Sequence, residues 1–178
     1  MLNGSFREGG STYLRLEEIN PGTFNVFYYW LNSGIVDCTN GNKSLTPADV
    51  WDKMINAYIF ADFHQSQIFR NAVLGSLFLY YGAQRGFHIA VVPRLYVNTH
   101  EGDAMGNLLV DLMVGSSTLE GFPKTHLDFL NNDFLLDYIV ICTEKKLVPG
   151  SSSWEAGVHN VHKNFCERYQ QHDERVRP

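Results

Sequence analysis

The chain has 178 residues, 44% of them hydrophobic and 13% aromatic, with 14 basic against 19 acidic side chains for a formal net charge of -5. That is enough apolar material for one packed domain rather than a disordered chain, and it lacks the basic excess that a nucleic-acid partner would require. Cys38, Cys142 and Cys166 form an odd, widely spaced set, so a reducing compartment, cytoplasmic or nuclear, is expected instead of a disulfide framework. No apolar run approaches the ~18 residues of a membrane span, and no secretory leader or membrane partner is expected.

In chain order, the polar run Asn3–Ser11 reads as a loop carrying one apolar residue, Phe6, and one acid, Glu8. Ser11–Ile19 alternates enough to predict a short strand. Asn20 and Pro21 then predict a helix start, with Phe24, Phe27, Tyr28 and Leu31 as its core face and Gly34 as its stop. Tyr29 and Trp30 are left on the flanks, where they suit a protein interface. Thr46 and Pro47 start a second helix with Val50, Met54, Ala57, Tyr58 and Ala61 inward. Ser66 starts a third, with Ile68, Phe69, Ala72, Val73, Leu77 and Tyr80 inward, and the few residues between the two make a helical hairpin.

Gly86–Asp103 is interrupted by Pro93 and predicts loop with a possible short strand. Ala104–Gly115 predicts a helix, 122–130 a short one, and a longer one is capped by Asn132 and ends at two lysines. A linker at 148–153 leads to a last helix from Trp154 into a charged tail.

Few side chains in this pattern suggest chemistry. His159, His162 and Cys166 share a helix face and offer zinc-type ligands, but one helix lacks the paired spacing that makes such a set specific; a half-buried face with polar edges is the ordinary alternative. Asp62 and His64 diverge on their helix and suit hydrogen bonding more than acid–base work. Asp111 sits inside an apolar helix, either as a perturbed carboxyl or paired with an arginine. Neither a nucleophile elbow nor a phosphate loop occurs, so no enzyme activity and no cofactor are expected.

The order of elements resembles the BTB/POZ family, of the fungal type. The matching residues are Pro21, Phe24, Trp30, Leu31 and Gly34, then Tyr58, Phe60, Ala61, Asp62, Phe63, Ile68, Asn71 and Ala72. The segments Glu101–Val114, Phe134–Val140 and Phe165–Glu174 are similar to that group's helical extension. The resemblance implies a mainly α chain of an α+β family: the C-terminal portion of a BTB/POZ fold (1–85) with one or two short strands, followed by a helical extension (86–178). The family's N-terminal strands and the hairpin with its His-Lys signature have no counterpart here, so its strand-exchanged dimer is not expected. An exposed apolar face is expected instead on the Phe24–Leu31 and Val50–Tyr58 helices.

The resemblance further implies a non-catalytic protein–protein interaction module that homo-oligomerises. A substrate adaptor for a cullin-type ubiquitin ligase is the alternative, with Phe6 and Glu8 at the position of that group's apolar–x–Glu motif. A small metal-dependent enzyme built on His159, His162 and Cys166 is the remaining class.

Overall fold

In a computed structural model of the chain, the residues described are 19–39, 41–42, 44–84, 88–116, 130–144, 159 and 161–170. They are mainly helical, and no strand occurs among them. The strand expected over Ser11–Ile19, the Phe6–Glu8 loop and the short helix expected over 122–130 lie outside the described residues, apart from their ends at Ile19 and Leu130.

Helix α1 spans Pro21–Ser33. The Asn20 side chain accepts from the amides of Gly22 and Thr23, at 2.8 and 3.3 Å, which satisfies donors the helix itself leaves free. Gly34 ends it at φ 72, its amide donating to the Trp30 carbonyl. Helix α2, Pro47–Phe63, opens with a reciprocal box: the Asp49 amide donates to Thr46 Oγ1 and the Thr46 amide to Asp49 Oδ2. The Thr46 hydroxyl and then its amide hold the Asp49 carboxyl below the usual carboxylate range.

Helix α3 spans Gln67–Gln84, and α2 turns into it through a left-handed residue. Gln65 has φ 53; its amide donates to the Asp62 carbonyl and that of Ser66 to the Ala61 carbonyl, the bonding of a Schellman motif. This position normally falls to glycine, because a Cβ there costs about 1 kcal/mol.

The segment expected to be loop or strand around Pro93 is instead a 3-10 turn, Ile89–Val91, continuing into helix α4, Val92–Asn98. Pro93 lies in the first turn, where its missing N–H costs nothing and its fixed φ suits a helix. Val91, Val92 and Leu95 are buried there, so the apolar spacing is helical and the proline starts the element instead of breaking it.

Helix α5, Ala104–Ser116, and α6, Asn132–Glu144, follow, and then the short α7, Phe165–Tyr169. Asn131, one residue before the expected cap, accepts from the Phe134 amide. Met105, Gly106 and every residue from Leu108 to Val114 are buried, so α5 is enclosed on all sides. α2 and α3 pack as the expected hairpin, α1 lies on α2, and α6 and α7 lie on α5. One hydrophobic core runs from Val26 to Tyr169 and takes in residues on both sides of position 85.

Five aromatics in the eight residues Phe24–Leu31 allow α1 to be read in two rotations. The structure turns it so that Thr23 and Val26 are buried, while Tyr28 and Leu31 are 59% exposed. Aromatic packing decides this. Phe27 lies 5.3 and 5.1 Å from the Phe60 and Phe69 rings, and Trp30 lies 4.8 Å from Phe69. Trp30 is therefore a core contact and not the free flanking anchor expected of it.

The apolar face expected to be exposed on α2 is covered. Val50, Trp51, Met54, Ile55, Ala57 and Tyr58 are all buried, beneath α1, α3 and α4. On α3 the inward set includes Phe69, Val73 and Leu77 as expected, but Ile68 faces out and Arg70, Leu74, Phe78 and Tyr81 face in.

Gln65→Gly should stabilise the protein by about 0.5–1 kcal/mol, read as a higher midpoint in urea unfolding with an unchanged slope.

Candidate functional site

Two regions bring unusual side chains together. One is a polar cluster where the end of α2, the start of α3 and the turn before α5 meet. Asp103 is the N-cap of α5: its Oδ1 accepts from the Met105 and Gly106 amides at 2.8 and 3.4 Å, a favourable place for an anion at a helix start. Its Oδ2 accepts from the hydroxyl of the fully buried Tyr58 at 2.9 Å. Burial, and then the Asp103 charge, push the Tyr58 hydroxyl well above its usual range.

Beside it, Arg70 Nη1 lies 2.6 Å from Asp62 Oδ1. Asp62 stands at the C-terminal end of α2, where the helix dipole disfavours an acid, and Arg70 offsets that. Arg70 is 8% exposed and its Nε has no hydrogen-bond partner. A shallow cavity of about 240 Å³ opens beside the pair, lined by Ala61, Asp62, Gln65, Gln67 and Arg70.

His100 completes the cluster. The Asp103 amide donates to the His100 carbonyl across a turn that has Gly102 at φ 75, and Asn107 Nδ2 donates to the Gly102 carbonyl. The turn brings the His100 ring, Asp103 and Asp62 together, with one ligand-type atom of each within 4.8 Å of the others. Among the described residues these three metal-type side chains lie close enough together to share one ion.

The sequence candidates for metal do not converge in that way. His159, His162 and Cys166 are all exposed, and His162 lies against the Phe78 ring at 6.0 Å. Asp62 and His64 diverge as their spacing implies: Asp62 meets Arg70, while His64 packs against the Phe60 and Phe63 rings.

Asp111 is paired, as one of its two readings required. It is 5% exposed and accepts from the Tyr169 hydroxyl, and Arg168 Nη2 lies 2.8 Å from its Oδ2. Burial, and then the Asp111 charge, push the Tyr169 hydroxyl up. Tyr96 behaves alike: burial and its 2.8 Å bond to Asp137 Oδ2 raise it. These carboxylates and phenols are tied to one another inside the fold, which suits them to anchoring helices.

The second region is the outer face of α1. Tyr28, Tyr29, Leu31 and Ile35 are 44–60% exposed, and Phe24 stacks on Tyr28. Tyr28 and Tyr29 border an open depression with Asn25, Asp37 and Gly41. Of the four residues singled out for protein binding, Tyr29 stands on this face and Trp30 is turned under it; Phe6 and Glu8 lie outside the described residues.

Asp103 had a legible signal, an acid directly before an apolar helix. Tyr58 and Tyr169 show in sequence only as apolar bodies, and the partners of their hydroxyls come from 45 and 58 residues away. No family model, curated protein or solved structure matches the chain. No described helix is long and apolar enough to cross a membrane.

The raised groups set an alkaline limit. Buried next to Asp37, the Cys38 thiol is pushed from 9.0 up to about 12, and Tyr58 and Tyr169 lie above their ordinary 10.0. A raised folded value gives stability that is complete below the unfolded value and lost as pH climbs past it. The unfolding free energy, read from urea titrations, should therefore hold to about pH 9 and then fall, with the midpoint, by ~1.4 kcal/mol per pH unit for each group that ionises only on unfolding. A midpoint flat to pH 11 would contradict these burials.

Proposed function

We propose that this chain is a non-catalytic protein–protein interaction module of BTB/POZ type, acting inside the cell, and that a second copy of the chain docks on the outer face of α1. The observation that carries this reading is the exposed set Tyr28, Tyr29 and Leu31 on α1 with Ile35 just beyond its cap: no charged residue occurs from Pro21 to Val36. Phenols and aliphatic side chains of this kind anchor interfaces because they bury much area at low entropic cost.

Charge supports a second copy as the occupant. Two molecules of net charge -5 repel, and a helix with no charge of its own, with Asp37 at its rim, is where they approach at lower cost. Another exposed apolar stripe, Leu136, Ile139 and Val140 on α6, shares its helix with Asp133, Asp137 and Glu144 and with no basic residue. Pairing α6 with itself would set like charges opposite each other. The order α1, then the α2–α3 hairpin, then further helices also agrees with the family resemblance in the sequence.

Light scattering on purified protein should show a concentration-dependent monomer–dimer equilibrium. Tyr28→Glu and Leu31→Glu should each weaken it at least tenfold without changing the circular dichroism, since both side chains are exposed. A protein that stays monomeric at millimolar concentration, or a dimer indifferent to both substitutions, would sink the reading.

A further inference from the structure

We propose that Asp62, His100 and Asp103 form a binding site for one divalent transition-metal ion of the zinc type, clipping the end of α2 to the turn that precedes α5. The donor set is one imidazole nitrogen and two carboxylate oxygens, contributed by two separate parts of the chain. Zinc takes this mixture readily, with three protein ligands and a water in the fourth position. A tetrahedral zinc needs ligand atoms roughly 3.4 Å apart, given bonds near 2.1 Å. The three atoms already lie within 4.8 Å of one another. His100 is exposed and Asp62 partly so, which leaves their side chains room to close the remaining distance.

The carboxylates are held from behind in the way metal ligands usually are. Arg70 grips Asp62 through Oδ1, which leaves the second carboxylate oxygen without that contact. The α5 amides and Tyr58 fix Asp103. The closed turn at Gly102 fixes the spacing between His100 and Asp103. Two carboxylates face one guanidinium, so the site carries net negative charge, and burial of Asp103 at 3% exposure strengthens its pull on a cation. Asp103 alone is an ordinary helix cap; the imidazole and Asp62 beside it are what a cap does not need.

The test is titration of the metal-free full-length chain with Zn²⁺ by calorimetry, with thermal unfolding in parallel and Co²⁺ absorbance as a coordination probe. The expected result is one ion per chain at micromolar affinity and a Tm raised by several degrees at saturating Zn²⁺. His100→Ala should weaken binding at least tenfold and abolish the Tm shift; its exposed position leaves the fold intact by circular dichroism. Asp62→Asn, which keeps an acceptor for Arg70, should weaken binding similarly. The double variant His159→Ala/His162→Ala should bind as the parent does. No bound ion, equal affinity in His100→Ala, or loss of binding in the His159/His162 variant would each overturn the assignment.

Discussion

A helix enclosed on every side must take its polar atoms into the interior with it, and α5 is such a helix. Its sequence cannot avoid the problem, since it begins at Asp103 and carries Asp111 midway. An uncompensated carboxylate at either depth would cost several kcal/mol. The rest of the fold is arranged around answering that cost. Tyr58 from α2 reaches Asp103, Tyr169 and Arg168 from α7 reach Asp111, and the Tyr81 hydroxyl of α3 donates to the Leu112 carbonyl. Each phenol fills the core with its ring and ties a helix to α5 with its hydroxyl. Tyr96 works on the next layer: it packs on Gly106, where an added Cβ would lie 3.4 Å from its hydroxyl oxygen, and bonds Asp137 of α6.

This division of labour bears on function. The buried phenols and carboxylates serve architecture, tying helices to one another, and Asp103 does so while also belonging to the proposed metal site. For partners the molecule offers two different chemistries. Helix α1 is itself aromatic and uncharged; the end of α2 and the turn before α5 bring together two carboxylates and an imidazole. The first suits another protein surface, the second a cation, and neither depends on the other.

Helix starts were legible in the sequence because they are local. Asn20-Pro21 and Thr46-Pro47 each carry a side-chain acceptor and a residue with preset φ, and both caps form as the pattern implies. Most of the inward face of α2 was legible for the same reason: Val50, Met54, Ala57, Tyr58 and Ala61 recur at one period, although Trp51 and Ile55 turn in beside them. α1 was not, because aromatics around most of its circumference leave the rotation to be settled by Phe60 and Phe69, residues of the hairpin. Pro93 misled because a proline breaks an element in its interior but starts one in its first turn, and sequence alone does not say which turn it occupies. The Asp62, His100, Asp103 cluster was illegible as a unit, since its members are 38 and 3 residues apart (62 to 100, then to 103) and only folding joins them.

The central claim is that α5 is the element on which the others depend. Native-state hydrogen exchange across a denaturant series tests it directly. Amides of Leu108–Val114 should exchange only through global unfolding, with the same free energy and slope as the whole molecule. If α5 opens in a smaller, earlier step while the α2–α3 hairpin stays protected, then the hairpin holds the fold and α5 is an attachment to it.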